Sequence, residues 1–464
     1  MMTINPNSQQ AYQLLHNGTL ALARAERQGF RIDMEYAIKK KDRLEYKINL
    51  LENNFKKTKF YKHWNHTTKN IPNINSNTQL AYFLYTTKKL KPIKLTASGK
   101  GATGEEALLL LNIPELNDLL QIKKLKKVKN TYLGAFIREQ VNGYIHPSFN
   151  LNLVRTFRSS SNSPNFQNIP IRDKESMKIC RKALYPRPGH QLLEVDFSGL
   201  EVAISACYHK DPNMLKYLNT PSSDLHGDLT KQIFKIKKFD RSKKEHSILR
   251  AATKNGFIFP QFYGDYYRNN AISLSTGWCG LPESKWKTGQ GIEFEGSHIS
   301  NHLIEQGLKS YQHFENHIKE IEYDFWNNRF PDYRRWKKTW WSLYQRYGYI
   351  DMKTGFRCSG VMTKNDAINY PVQGAAFHCL LWCFIELDKR MLDNNWDTKL
   401  IGQIHDSIIF DVNPNELQHV SKIIKEVTSI KLQEAWKWII TPLKVDFELS
   451  PVDCSWADKK EWKL

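Results

Sequence analysis

Two apolar, β-favouring runs, each carrying an aspartate, lie far apart in this chain and constrain its fold more than any other feature. They are Leu192-Leu193-Glu194-Val195-Asp196-Phe197-Ser198 and Ile401-Gly402-Gln403-Ile404-His405-Asp406-Ser407-Ile408-Ile409-Phe410. The first delivers Asp196 at the end of a strand. The second breaks at a short polar tip between two apolar arms, which predicts a β-hairpin with Asp406 at its turn. Strands that pair with these ends together set two carboxylates side by side, and such a pair holds divalent metal. A lone aspartate at a strand end is far more often a turn or cap residue, so spacing alone assigns neither. Between the runs stands Arg250-Ala-Ala-Thr-Lys254, a basic pair one helical turn apart that can grip phosphates. Phe259 and Tyr263 are again one turn apart and offer aromatic surface to a base. Out of context both pairs are more often a solvated face and a core stripe; together with the acids they compose a nucleotidyl-transfer site.

The charge balance points the same way. With 68 Lys+Arg against 47 Asp+Glu the net charge is +21, which argues for a polyanionic partner. The 464 residues are enough for several subdomains around a sizeable core. Seven scattered cysteines contain no C-x-x-C, and Cys379 and Cys383 sit one turn apart among apolar residues, so buried thiols in a reducing compartment are expected. The polar N-terminus is no secretory signal and no run reaches the roughly 18–20 apolar residues of a membrane span. The expectation is a cytoplasmic chain, neither secreted nor membrane-bound.

Residues 8–57 read as helix interrupted at 28–33, residues 60–104 as solvated loops, and 105–140 as helix. Strand and turn signals fill 144–197, helix dominates 199–265 and 298–346, and strands flank a helix at 374–394 in the last third. Lys123, Lys126, Lys127 and Asn130 share one helical face suited to duplex phosphates, although basic helical faces are usually only solvated. Ser98-Gly99-Lys100-Gly101 lacks the spacing and preceding strand of a phosphate loop. Asp33-x-Glu35, Asp173-x-Glu175 and Asp446-x-Glu448 resemble the opening of a proofreading exonuclease, but such tripeptides arise by chance.

Taken together these segments resemble the family A DNA polymerases, the DNA polymerase I type, in a phage or viral branch and as the polymerase domain only. The match runs from about residue 10 to the C-terminus. Arg158-Ser-Ser-Ser-x-Ser-Pro164-Asn165-Phe-Gln167-Asn168-Ile-Pro170 is close to a palm segment of the family. Asp196-Phe-Ser-Gly-Leu-Glu201 is similar to its motif A, Arg250…Lys254…Phe259…Tyr263-Gly264 to motif B, and His405-Asp406-Ser407 to motif C. Asn369-Tyr-Pro371-Val-Gln373-Gly374 and Asp224-Leu-His226 also match.

The resemblance implies an α+β right-hand fold of palm, fingers and thumb, with an antiparallel palm sheet carrying the catalytic carboxylates. It implies an N-terminal helical segment on the palm over 1–74, a thumb over 75–140 and the first part of the palm over 141–198. Fingers would follow over 199–345, with the motif B helix at about 247–264 and an insertion within 265–330. The rest of the palm would fill 346–464. It implies two Mg²⁺ ions, for which Mn²⁺ can substitute, held by Asp196, Asp406 and the backbone carbonyl of Phe197. Arg250, Lys254 and His226 would meet the triphosphate, with Lys254 as proton donor to pyrophosphate. Phe259 and Tyr263 would line the nucleotide pocket, and Glu201 would help exclude a ribose 2′-OH. Arg158, Asn168, Gln373 and His405 would lie at the primer–template near its terminus, and Lys123, Lys127 and Asn130 along the duplex. The implied activity is template-directed extension of a primer 3′-OH with dNTPs by a monomer. A separate exonuclease, helicase or processivity factor would work beside it, since no proofreading domain is expected in this chain.

Three departures qualify the match. Motif C ends in Ser407 where the family commonly has glutamate, which leaves Glu194 and Asp411 as candidate replacements. One residue is inserted between Lys254 and Phe259, which in a regular helix turns the aromatic pair by about 100° and predicts a π-bulge or kink near Pro260. Without one, Phe257 would take the place of Phe259. The third is the length of 265–330. Two other readings compete: a single-subunit RNA polymerase, against which Glu201 with Tyr263 argues, and a catalytically silent nucleic-acid-binding subunit, against which the retained acids and cations argue.

Overall fold

The computed structural model describes residues 3–68, 71–93, 95–96, 98–171 and 173–464. The chain forms two compact units. One holds Tyr12–Ser198, Phe377–Leu432 and Lys444–Leu464; the other holds Gly199–Ala376, Gln433–Leu443 and the N-terminal residues through Ala11.

The first unit is built on a five-stranded antiparallel sheet. In chain order its strands are β1 (Gln191–Phe197), β2 (Lys399–Ile404), β3 (Ser407–Val412), β4 (Val445–Leu449) and β5 (Lys460–Trp462). The spatial order is β2-β3-β1-β4-β5. Both acidic runs therefore form neighbouring central strands, and the hairpin expected around Asp406 is the β2–β3 turn. One face packs on a core that includes Phe30, Phe166, Leu192, Ile404, Ile409 and Trp456, all buried. A second core joins Trp64, Phe83, Leu116 and Ile122 within the same unit.

The helices at Gln9–Gln28 and Met34–Lys57 are separated where the sequence predicts an interruption, and the segment between them holds a short strand, Phe30–Ile32. Asp33 caps the second of them, accepting from the Tyr36 N–H at 2.8 Å, and Asp173 caps the Lys174–Arg181 helix through the Ser176 N–H. Two exonuclease-like tripeptides are thus helix starts. The expected loops of 60–104 need correction: Lys59–Thr67 and Asn77–Thr87 are helical, because Phe60, Tyr61, Trp64, Leu80, Phe83 and Leu84 bury an apolar face. The 374–394 helix begins earlier, at Lys364, and runs through Pro371 to Asp393.

The second unit is mainly helical, around a core of Leu229, Phe257, Phe314, Phe325 and Phe330 among others. A small sheet, in which the strand Phe356–Ser359 pairs with Thr3–Pro6 and Tyr349–Asp351, ends this unit. The segment around 277–298 packs Cys279, Leu281 and Phe294 into the same core. Among the described residues no helix is long and apolar enough to cross a membrane, and no disulfide joins any of the seven cysteines.

Trp456 fastens the first unit. It stacks on Phe166 with ring centroids 5.4 Å apart, lies under the Arg181 guanidinium at 4.0 Å and donates to Glu194 at 2.8 Å. Trp456→Ala is expected to remove about 3–5 kcal/mol of stability, read as an earlier midpoint in the urea unfolding of this unit.

Candidate active site

The register of the central sheet decides where the acids fall. Ser407 of β3 stands opposite Asp196 of β1, and Asp446 of β4 stands opposite it on the other side. The Phe197 N–H donates to the Asp406 carbonyl oxygen at 3.1 Å, so the two expected aspartates meet at the same end of adjacent strands. Asp406 follows His405, which turns the hairpin with φ +51°. That left-handed conformation costs a non-glycine residue of order 1–3 kcal/mol, and it leaves His405 exposed.

Both carboxylates are held above the usual aspartate range. For Asp196 burial is the main cause, opposed by the Ser407 hydrogen bond and reinforced by Asp406, Glu194 and Asp446. For Asp406 burial again leads, opposed by the charge of Arg158. Neither is in an ion pair among the described residues. A cavity of about 1030 Å³ lies along this face, lined by Glu194, Asp196, His405, Ser407, Asp446 and Lys459 among others.

Ser407 takes its place in the site as a donor: its hydroxyl bonds Asp196 Oδ1 at 2.6 Å. The two candidates for a replacement acid are both neutralised elsewhere. Glu194 is buried and bound by Arg181, Lys459 and Trp456; burial pushes its pKa up, but those cations and hydrogen bonds pull it below the usual range. Asp411 is bound by Arg187 and faces His190. The acid beside Asp196 is instead Asp446, which accepts a hydrogen bond from the Ser198 hydroxyl and has no cation partner among the described residues. Sequence reasoning passed over it because only the register connects it to Asp196.

The segment around Arg158 is tied to the hairpin by a polar chain. Ser159 Oγ and Gln167 Nε2 both donate to Gln403 Oε1, at 2.6 and 2.7 Å, and Gln403 donates in turn to the His405 carbonyl. Asn168 is exposed and its carbonyl accepts from the Tyr132 hydroxyl. Lys123 donates to Asn77 at 2.8 Å, and burial lowers its pKa. Lys126 is engaged by Glu52, which leaves Lys127 and Asn130 as the exposed members of that face.

In the second unit the helix Lys244–Thr253 passes at Lys254–Ile258 into a π turn, followed by an α turn at Phe259–Phe262. The inserted residue is absorbed there. Pro260 falls in the first turn of the new segment, where its missing N–H costs nothing. Phe259 consequently stands beside Lys254, whose ammonium lies 5.2 Å from the ring centroid, and edge-on to His226. Phe257 is fully buried against Phe325. Arg250 makes a two-pronged pair with Asp224, at 2.7 and 2.9 Å, and contacts His226 Nδ1 at 3.3 Å. Burial, with the charges of Arg250 and Lys254, pushes the His226 pKa down to about 4, so the imidazole is neutral at pH 7. The Tyr263 hydroxyl donates to Glu201, and its carbonyl accepts from Asn369 at 3.3 Å. Gly264 follows with φ +93°, and a Cβ there would meet Asn365 at 2.3 Å. Gln373 is half-buried, four residues past Asn369 on the Lys364–Asp393 helix.

DNA polymerase I of Bacillus subtilis is 27% identical over 394 residues, 84% of this chain and 40% of its own length. That of Chloroflexus aurantiacus is 25% identical over 398 residues, 82% of this chain and 37% of its own length. The chain thus spans about two fifths of the length of these curated relatives. The POL domain of Pol1 from M. smegmatis, solved in complex with DNA primer-template and dNTP, superposes with a TM-score of 0.72 at 21% identity, covering 96% of this chain and 70% of that one. It shares the α+β polymerase fold. The sequence pattern of DNA polymerase family A matches residues 41–276 and 299–457, passing over 277–298. That match takes in both central acidic strands and the whole Arg250–Tyr263 segment, and the chain belongs to DNA polymerase family A.

Proposed function

We propose that this chain is a template-directed DNA polymerase, extending a primer 3′-OH with dNTPs and releasing pyrophosphate. One observation carries the reading: the Phe197–Asp406 backbone bond and the β1–β3 register set Asp196 and Asp406 side by side at the rim of the sheet, where burial raises the pKa of both. Two hard oxygen donors crowded together and lifted in pKa are suited to Mg²⁺. Among the described residues no three His, Cys, Asp or Glu side chains converge as a ready-made metal site. A bound ion would therefore complete its shell from the Phe197 carbonyl, water or the substrate's phosphates. A pair of Mg²⁺ ions there would supply acidification of the primer hydroxyl and charge stabilisation of the departing pyrophosphate.

The remaining roles fall on the chain's own side chains. Ser407 orients Asp196. Arg250 and Lys254 take the triphosphate, for which Asp224 is a stand-in anion on Arg250; Lys254 gives a proton to the leaving pyrophosphate. Neutral His226 adds a hydrogen bond rather than a charge. Phe259 and Tyr263 give the nucleotide aromatic walls, and the Tyr263–Glu201 pair crowds a ribose 2′-OH, which favours dNTPs over NTPs. Arg158, Asn168, Gln373 and His405 contact primer–template near the terminus, and Lys123, Lys127 and Asn130 contact duplex phosphates. The chain works as a cytoplasmic monomer, alongside separate replication factors. Placement in a phage or viral branch belongs to the same reading; the relatives named above are bacterial, and the genes flanking the coding sequence decide it.

Extension of a labelled primer–template tests this directly. Wild-type protein with Mg²⁺ is expected to extend with dNTPs and far less with NTPs. Asp406→Asn is expected to lower the extension rate by about 10³-fold or more, about 4 kcal/mol of barrier, while primer–template affinity stays within a few-fold. NTP extension equal to dNTP extension would favour the RNA polymerase reading, and undiminished extension by Asp406→Asn would refute the metal assignment. With a net charge of +21, primer–template affinity measured by fluorescence anisotropy is expected to fall by about 10³-fold or more between about 50 and about 200 mM salt.

A further inference from the structure

The aromatic that walls the nucleotide pocket sits at the end of a helix held by an unusual cap. The last carbonyls of a helix have no partner within it and attract cations. Here Lys337, on the helix Pro331–Tyr347, donates to the carbonyl oxygens of Gln261 and Phe262, each at 3.0 Å. These are the two residues before Tyr263. The ammonium is sandwiched against Trp326, 4.0 Å from the ring centroid, and Tyr333, 5.0 Å away. No carboxylate lies within ion-pair distance of it among the described residues. Burial, with the charge of Lys364, pushes its pKa down to about 7, and charged or neutral the amine has the N–H groups that both carbonyls accept.

The same turn is gripped by its side chain. Gln261, buried, accepts from Trp326 Nε1 at 2.6 Å and donates to Asn270 and Glu322 at 2.6 and 2.5 Å. Beyond it the chain has little freedom: Asn369 holds the Tyr263 carbonyl, and Asn365 leaves room only for glycine at 264. Lys337, Trp326 and Tyr263 line one cavity of about 560 Å³. The Asn369 bond on the Tyr263 carbonyl thus acts on backbone that continues directly from the two carbonyls Lys337 caps.

We infer that Lys337 is a positioning residue for sugar selection: its cap on the Gln261 and Phe262 carbonyls fixes the tilt of Tyr263 against Glu201. This rests on the polymerase reading above. The chemistry at the carboxylates does not involve it, so its loss alters which nucleotide is accepted more than whether the reaction occurs.

Single-nucleotide incorporation tests this, giving kcat/KM for a dNTP and the matching NTP with wild type, Lys337→Met and Lys337→Arg. Primer–template affinity is measured on the same samples. Lys337→Met is expected to raise KM for the dNTP and to lower the dNTP-over-NTP ratio about tenfold, with primer–template affinity unchanged. Lys337→Arg, which keeps the charge and the donors, is expected to recover most of the ratio. A general loosening of the unit would lower both efficiencies together, leaving the ratio intact, and that result overturns the inference. Lys337→Leu also removes the donors, with a shorter apolar side chain, and serves if Lys337→Met does not fold; an unchanged ratio there likewise overturns the inference. A wild-type protein that extends no primer removes the polymerase reading and this inference with it, whereas active wild type with unaltered ratios removes the inference alone.

Discussion

The antiparallel pairing of β1 with β3 is the constraint on which the site depends. Side chains alternate across a strand, so a slip of one residue would swing Asp196 and its neighbours to the opposite face. The observed register instead puts Glu194 and Asp196 on one face, two residues apart, with opposite fates. Glu194 is enclosed and bound by Arg181, Lys459 and Trp456. Removing one partner of such a buried pair typically costs about 3–5 kcal/mol. Asp196, at the rim, receives only a serine hydroxyl and faces two further acids, Asp406 and Asp446. One carboxylate anchors the sheet, and the other keeps its charge uncompensated for a ligand.

The second unit solves a different problem, the presentation of cations and aromatics from one helical tract. A regular helix could not carry the extra residue between Lys254 and Phe259 without rotating the ring away. The π turn at Lys254–Ile258 takes up that residue, and Pro260 marks where α geometry resumes. Arg250 is meanwhile stored on Asp224, so a triphosphate would compete with an existing carboxylate partner rather than meet a bare guanidinium. A departure from the family's spacing is in this way accommodated locally.

Local chemistry made much of this legible in the sequence. The apolar runs around Asp196 and Asp406 predict strands and a hairpin, and the Arg250–Lys254 spacing predicts a helical face. The helices at Lys59–Thr67 and Asn77–Thr87 escaped because Asn, Thr and Lys outnumber apolar residues over the 60–104 stretch as a whole. Their signals were the caps: Thr58 accepts from the Tyr61 N–H and Ser76 from the Gln79 N–H. Asp446 was beyond reach for another reason. Its relation to Asp196 is a strand pairing across more than half of the chain's length, and the side-chain contacts of Glu194 with Trp456 and Lys459 span as much. No local pattern encodes such a pairing. The functional weight of Ser407 was invisible too, since a serine in place of an acid reads as a loss until its hydroxyl is found on Asp196.

If the two aspartates work as one site, they should lose metal as one. Equilibrium Mn²⁺ binding, followed by electron paramagnetic resonance without nucleotide, measures this for wild type, Asp196→Asn, Asp406→Asn and the double variant. Strongly coupled losses are expected: each single change should weaken binding by at least about tenfold, and the double change should add far less than the product of the two. Independent, multiplicative effects, or single variants that bind Mn²⁺ like wild type, would contradict the account.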